Sequence, residues 1–328
     1  MATISKINGI NEDDISHHNG GAASLYAFKN GDTWGHYAYQ GSNYGWACGG
    51  YTGGWVNTID KTNFSSHGNS TDAGDLDIAL HSGGGASDKT YGWVFGGYIS
   101  PYTDMIQKFN MLTDASATDI ANLTRTKLGP SGCNTADYGY AVGGYPERDE
   151  IQRWAFVSTS DAADVGNLSA GGADRGGASS SSTHGFHFAG EIPGAPYSTN
   201  LINKFSFATD TEAGVDHGDL YANRSVPASH SSTDYGWCSG GGFPTGAPAT
   251  DAIDRFAFSS NSTATDWEDL YEAAEGPCGA SSTTRGYAQG HTSSSDTVQS
   301  FPYASQTEST DVGDLSQGRY NSADNVQY

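Results

Sequence analysis

The sequence predicts an all-β protein built from six copies of one repeat, and three recurring phrases carry that prediction. A phrase of the form Tyr-Gly-aromatic-x-x-Gly-Gly begins at residues 44, 91, 138, 184, 235 and 285, so successive copies lie 47, 47, 46, 51 and 50 residues apart. A second phrase, Ile-x-[Lys/Arg]-Phe-x-Phe, and a third, Asp-x-Gly-[Asp/Asn]-Leu, follow it in the same order with substitutions. A repeat of about 45–52 residues, rich in aromatics and glycine, is typical of a four-stranded blade. Six such blades predict a closed β-propeller.

The first two phrases have the pattern of strands that are covered on both faces. In Tyr91–Gly97 large side chains alternate, and the closing glycines mark a place that needs positive φ or a close backbone approach. In Ile106–Met111 the side chains of Phe109 and Met111 share one face of the strand. Stacked blades cover both faces of each sheet, so strict alternation of polar and apolar residues is not expected.

Composition and charge separate this chain from disordered and nucleic-acid-binding proteins. Hydrophobic residues make up only 36% of the chain, but 12% of it is aromatic, and these aromatics recur in register. Because each aromatic buries a large area, the pattern predicts a packed core. The chain has 37 acidic and 15 basic residues and a formal charge of -22, which repels phosphate backbones. We therefore predict no nucleic-acid partner.

No export signal, membrane span or cofactor motif is evident in the sequence. The chain lacks a signal peptide and an apolar run of membrane-spanning length, which predicts synthesis in the cytoplasm without membrane insertion. The cysteines have no metal-binding spacing and are predicted to be free thiols; they are Cys48, Cys133, Cys238 and Cys278. No cofactor is predicted.

The second and third phrases each repeat a charged residue. Five cations share one position of the second phrase: Lys61, Lys108, Arg153, Lys204 and Arg255. We predict that they form a repeated ion pair or hydrogen bond with carboxylates of the third phrase, and a ligand-binding ring of cations is the alternative. The third phrase begins with Asp72, Asp119, Asp164, Asp216, Asp266 and Asp311. We predict turns in which these side chains accept backbone N–H bonds, and calcium binding is left open as an alternative.

The repeat resembles the kelch family of β-propellers over roughly residues 40–328. The resemblance rests on the Gly143-Gly144 pair that closes one strand, the Ile151–Phe156 strand that follows, and the arginine of Leu220–Arg224. It implies a six-bladed propeller with a short N-terminal extension. It implies no particular activity, because kelch proteins differ widely in function.

The N-terminus carries a second resemblance. Ile4–Gly9 and Ile15–Gly20 both read Ile-Ser-x-x-Asn-Gly and end in a turn-forming dipeptide, which predicts a small β element. This segment is similar to the N-termini of virion structural proteins of tailed bacteriophages, in which Gly/Ser/Thr-rich repeats also recur. The resemblance implies a decoration, fibre or tail-surface protein that is assembled into the virion in the host cytoplasm. Residues 1–20 are then an anchoring extension that contacts capsid or tail proteins through Ile4, Ile7 and Ile15, and residues 21–328 are the propeller.

Aromatic residues in the loops between the first and second phrases suggest a binding face. Trp55, Tyr102 and Tyr197 lie in loops that should gather at one end of the propeller, where aromatic rings could stack on sugars of a host-surface polysaccharide. These rings could instead cap blade ends or contact another virion subunit. Nucleophile-elbow, zinc-protease and phosphate-loop motifs are absent, so the chain is predicted not to be an enzyme. A soluble lectin-like propeller is the alternative, followed by an enzyme with a site on the axis.

Ring closure has two solutions at this stage. Either residues 316–328 or residues 21–43 could supply the strand that joins the last blade to the first.

Overall fold

A computed structural model of the protein describes residues 41–169, 172–209, 213–242 and 248–327, together with four two-residue strands near the N-terminus. The chain divides into two compact units, residues 1–37 and 38–328. In the described ranges no helix is long and apolar enough to cross a membrane.

The first unit contains two short antiparallel strand pairs. β1 (Lys6–Ile7) pairs with β2 (Ile10–Asn11), and β3 (Phe28–Lys29) pairs with β4 (Asp32–Thr33). Each pair flanks an Asn-Gly dipeptide in the sequence, the preferred composition of a two-residue hairpin turn. Of the predicted anchor residues Ile7 lies in β1, whereas Ile4, Ile15 and the predicted boundary between residues 20 and 21 lie outside the described residues.

The second unit confirms the predicted six-bladed all-β propeller. It consists of six antiparallel four-stranded sheets whose innermost strands are neighbours around one axis. In chain order the strands are β5 (Tyr44–Cys48), β6 (Thr58–Asn63) and β7 (Thr71–Asp75) of blade 1; β8 (Gly84–Ser87), β9 (Tyr91–Phe95), β10 (Thr103–Asn110) and β11 (Thr118–Lys127) of blade 2; β12 (Ser131–Asn134), β13 (Tyr138–Val142), β14 (Glu150–Ala155) and β15 (Ala163–Asn167) of blade 3; β16 (Gly177–Ser180), β17 (His184–Phe188), β18 (Thr199–Ser206) and β19 (Val215–Arg224) of blade 4; β20 (Ala228–Ser231), β21 (Tyr235–Ser239), β22 (Ala252–Ala257) and β23 (Thr265–Asp269) of blade 5; β24 (Cys278–Ser281), β25 (Arg285–His291), β26 (Ser295–Pro302) and β27 (Thr310–Asp314) of blade 6; and β28 (Ala323–Gln327), which returns to blade 1.

The C-terminal strand closes the ring. β28 is the innermost strand of blade 1 and pairs antiparallel with β5, with Ala323 opposite Cys48 and Val326 opposite Trp46. Of the two solutions left open by the sequence, the tail of the chain is therefore the one that joins the last blade to the first.

The recurring phrases correspond to recurring contacts. Gly236 of the first phrase lies directly opposite Phe256 of the second phrase, and a Cβ atom on Gly236 would overlap the Phe256 ring. The same opposition of glycine and an aromatic ring occurs at Gly92, Gly139, Gly185 and Gly286. The glycine is needed because the facing ring occupies the space of a side chain.

A second recurring contact joins each blade to the next. The Trp237 ring of blade 5 stacks on Tyr303 of blade 6 at 4.8 Å between centroids, and Tyr287 of blade 6 stacks on Phe64 of blade 1 at 4.4 Å. The central aromatic of the first phrase thus packs against the last aromatic of the second phrase in the following blade. Such stacked pairs bury large apolar areas between sheets. All four cysteines are likewise buried, and they are free.

Four of the five repeated cations lie against aromatic rings. The charged groups of Lys61, Lys108, Arg153 and Arg255 lie 4.3–4.5 Å from the ring centroid of the first-phrase tyrosine on the neighbouring strand. Lys61 Nζ also pairs at 2.7 Å with Asp114, which does not belong to the third phrase. Cation–π contact with the neighbouring strand is therefore what these four cations share, because a flat aromatic face lies beside each of them.

The third-phrase carboxylates form local turns. The Oδ1 atoms of Asp72, Asp164, Asp216 and Asp311 each accept a hydrogen bond from the backbone N–H two residues later, at 2.8–3.1 Å. This is the turn expected from the sequence.

Candidate ligand-binding site

Six loops meet at one end of the propeller axis, each leading from the outer strand of one blade to the inner strand of the next. Every loop contributes one residue with φ between +51° and +72°: Ser82, Gly129, Arg175, Val226, Gly276 and Asn321. Only glycine adopts this conformation without penalty, and other residues lose about 1–2 kcal/mol in it. Four of the six are not glycine, so surrounding contacts must hold them there.

Those contacts form a closed ring of backbone hydrogen bonds, which we call the collar. The N–H of each collar residue donates to the carbonyl of its counterpart in the preceding blade, at 2.7–3.0 Å. The ring closes where Ser82 N–H donates to Asn321 O at 2.7 Å. Because every member depends on both neighbours, the collar gives this end of the axis a fixed rim.

A small cavity lies inside the collar, with a volume of about 40 Å³. The second residues of the inner strands are Gly85, Gly132, Ala178, Ser229, Gly279 and Asp324, and four of them line the floor of the cavity: Gly132, Ala178, Ser229 and Asp324. The inner strands approach so closely that a Cβ on Gly132 would overlap the backbone of Gly85. Asp324 is the single charged side chain in this set of small residues.

The closing strand that carries Asp324 contains a β-bulge. In the other five blades the inner strand ends five residues after the collar residue, as from Gly276 to Ser281, whereas β28 ends six residues after Asn321, at Gln327. The extra residue falls where the register shifts between Ala323 and Val326. Bulges re-aim side chains and often lie beside functional sites.

Neutral donors from two other blades hold the Asp324 carboxylate. Its Oδ2 atom accepts hydrogen bonds from the Ser229 hydroxyl at 2.9 Å and from Ser229 N–H at 3.2 Å, and its Oδ1 atom accepts one from Gly279 N–H. Burial outweighs these bonds and raises the pKa of Asp324 to about 7.

Three more polar side chains line the cavity and have a buried atom that forms no hydrogen bond. These atoms are Ser131 Oγ, Arg175 Nε and Asn321 Oδ1. The Arg175 Nη1 atom donates to both carboxylate oxygens of Glu191 at 2.9 and 3.0 Å. The cavity therefore offers an unused donor and an unused acceptor in addition to the Asp324 carboxylate.

A chain of aromatic rings, which we call the aromatic arc, lies beside the collar. Neighbouring rings are 5.2–5.7 Å apart between centroids, in the contacts Tyr320–Tyr51, Tyr51–His81, His81–Tyr98, Tyr98–Trp55, Tyr98–Tyr102 and Tyr102–Tyr145. Tyr320 and His81 directly precede the collar residues Asn321 and Ser82, which places the arc next to the cavity. Burial and the nearby Arg175 lower the pKa of His81 to about 4, so its ring is neutral at pH 7.

The arc covers only half of this end of the propeller. Tyr51, Tyr98 and Tyr145 follow the Gly-Gly pair in blades 1 to 3, whereas the same position holds Glu191, Gly242 and Thr292 in blades 4 to 6. Trp55 and Tyr145 are each 40% exposed. Among the described residues, the linked rings thus lie in blades 1 to 3 and in the loop that leads into blade 1.

The predicted loop aromatics divide accordingly. Trp55 and Tyr102 belong to the arc, whereas Tyr197 lies in the corresponding loop of blade 4, 47% exposed, and forms no ring contact with the arc among the described residues. The sequence prediction missed Tyr51, Tyr98 and Tyr145, although the Gly-Gly-Tyr tripeptide in the first three copies was a usable signal. It also missed Asp324, because this residue is recognised as part of an inner strand only once the pairing of β28 with β5 is known.

Comparison with known proteins supports the fold. No family model and no curated protein matches this chain. Among solved structures it is similar to YjhT, a β-propeller, with a TM-score of 0.61 and 14% sequence identity over 75% of this chain and 87% of that chain. At this level of identity the likeness shows the fold alone.

Proposed function

We propose that this chain is a structural protein of a tailed-bacteriophage virion, displayed on the particle surface, and that its aromatic arc binds a polysaccharide of the host surface. The observation that carries the binding proposal is the arc itself. Its rings are accessible, contiguous and confined to one side of the propeller end.

The chemistry of the arc suits sugars better than other ligands. Aromatic faces pack against the apolar C–H faces of sugar rings, and the tyrosine hydroxyls supply hydrogen bonds at the edge. The arc is fixed to the collar through Tyr320 and His81. Because the rings are already ordered, little conformational entropy is lost when a ligand binds.

The virion part of the proposal is supported by the sequence of the N-terminal segment and by charge. Residues 1–37 form a compact unit of their own, and their start is similar to N-termini of phage virion proteins. A formal charge of -22 keeps an exposed propeller soluble and away from nucleic acid. In this proposal the N-terminal unit contacts capsid or tail proteins, and the propeller remains accessible.

The second candidate is a lectin-like propeller that is not part of a virion, because the same aromatic arc would bind its sugar ligand. The two candidates agree on the ligand and differ in location. Binding measurements therefore test the arc, and particle imaging separates the candidates.

The binding test compares exposed aromatics inside and outside the arc. The purified chain is titrated with polysaccharides extracted from the surfaces of candidate host bacteria, and binding is measured by biolayer interferometry. We expect Trp55→Ala and Tyr145→Ala each to weaken binding about tenfold, roughly 1.4 kcal/mol. Tyr271→Ala, which removes a 57% exposed tyrosine of blade 5, is the matched control and should bind normally. Equal losses in all three variants, or a wild-type chain that binds no extract, would contradict the proposal.

A further inference from the structure

We infer that the cavity inside the collar is a pocket for a primary ammonium group, and that the polysaccharide on the aromatic arc presents an amino sugar with a free amine. This inference rests on the proposed glycan-binding function and names the substrate class of the same face.

The size of the cavity limits what can enter it. One water molecule needs about 10–15 Å³ of such space, so 40 Å³ holds about three waters or one small polar group. A sugar ring is too large to pass the collar. The ring would remain at the collar beside the arc, and a single substituent would reach the floor.

The Asp324 carboxylate on the floor of the cavity favours a positively charged ligand. The three donors on Asp324 come from Ser229 and Gly279 and are neutral, so no counter-ion accompanies this carboxylate. Two arginines near the rim are already paired with carboxylates: Arg175 with Glu191, and Arg148 Nε with Asp174 at 2.5 Å. A partly buried carboxylate without a counter-ion favours a ligand that brings a positive charge.

The unused atoms of the wall fit the neighbouring groups of an amino sugar. An ammonium group has three donors, which Asp324 and the free Asn321 Oδ1 can accept. The free Arg175 Nε–H is a donor and suits the oxygen of an adjacent hydroxyl. An amine next to a hydroxyl is the arrangement of a 2-amino-2-deoxy sugar. An N-acetylated amine has lost its charge and gained bulk, so it does not fit.

The test uses monosaccharides with at most one charge, so that the net charge of the protein does not dominate binding. Glucosamine, N-acetylglucosamine and glucose are titrated into the full chain at physiological salt, and dissociation constants are measured by ligand-observed NMR. We expect glucosamine to bind at least tenfold tighter than either neutral sugar. Asp324→Asn should abolish that preference, and Asn321→Gly, which keeps the positive φ of the collar and removes the amide, should weaken glucosamine alone.

Two controls keep the result interpretable. Asp137→Asn removes one negative charge at an exposed position outside the cavity and should leave the preference unchanged. Thermal melting establishes that each variant is folded. Equal binding of the three sugars, or a preference that survives in both Asp324→Asn and Asn321→Gly, would overturn the inference. Neither result affects the polysaccharide measurement with Trp55→Ala, so failure of the pocket and failure of the arc are distinguishable.

Discussion

Arg319 Nη2 lies 2.8 Å from Asp60 Oδ2 with both side chains fully buried, so one ion pair joins blade 6 to blade 1. Equivalent pairs join blade 4 to blade 5 through Arg224 and Asp254, at 2.9 Å, and blade 2 to blade 3 through Lys127 and Glu150, at 2.9 Å. The position of Asp60 is taken by neutral Gln107, Gln152, Asn203 and Gln299 in blades 2, 3, 4 and 6, and in blade 3 Glu150 supplies the carboxylate from two residues earlier. Among the described residues, fully buried ion pairs of this kind therefore occur at alternate interfaces around the ring.

Removing one partner of the closing ion pair should destabilise the propeller strongly. Asp60→Ala leaves the Arg319 charge buried and unpaired, which costs about 3–5 kcal/mol. Gln107→Ala, at the equivalent neutral position, leaves no buried charge and should cost less than half as much. Urea unfolding followed by tryptophan fluorescence measures both free energies. Equal losses in the two variants would show that the ion pair has no special role in ring closure.

Truncating the chain after Ser322 should open the ring. This change removes β28 and exposes the unpaired edge of β5, so we expect loss of the cooperative unfolding transition, measured by circular dichroism. Removing residues 1–37, which form the other compact unit, should leave the transition of the propeller in place. If the chain that is truncated after Ser322 melts like the full chain, closure of the ring by the C-terminal strand is contradicted.

The first-phrase glycines should tolerate no side chain. Gly236→Ala places a methyl group into the Phe256 ring, and such overpacking costs about 1–3 kcal/mol. Gly54→Ala is the matched control because no atom lies within 4 Å of the added carbon, and its effect should stay within about 0.5 kcal/mol. Chemical denaturation of the two variants checks the difference. A harmless Gly236→Ala would mean that the facing ring is free to move aside.

These recurring contacts explain why the fold could be predicted from sequence and the candidate site could not. The recurring contacts are made by the residues that repeat in the sequence. Examples are Gly236 opposite Phe256, and Trp237 against Tyr303. The sequence repeat therefore predicts the packing. The inner strands consist mostly of small residues outside the recurring phrases, so the sequence analysis did not identify the residues that line the cavity. The aromatic rings beside the repeated cations were missed because the sequence analysis considered opposite charge and not the aromatic face on the neighbouring strand. Trp55 was predicted to belong to a binding face from its residue type and its position in a loop alone.

The Asp324 carboxyl should make stability depend on pH. Its pKa is about 7 in the folded protein, against about 3.9 for an unfolded aspartate, so from about pH 4 to 7 the folded state holds a proton that the unfolded state has released. Its contribution is fully present below pH 4 and is lost as the pH rises through 7, by at most about 1.4 kcal/mol per pH unit. Because Asp324→Asn cannot titrate, the difference in unfolding free energy between wild type and variant isolates this carboxyl. A difference that stays constant from pH 4 to 8 would contradict the assigned environment of Asp324.

Imaging of the particle tests the central claim most directly. Cryo-electron microscopy of purified phage whose genome encodes this chain should show propeller density on the capsid or tail surface, with the aromatic arc facing solvent and the N-terminal unit directed toward the particle. Particles without this density, or an arc covered by a neighbouring virion subunit, would contradict a surface-displayed glycan-binding propeller.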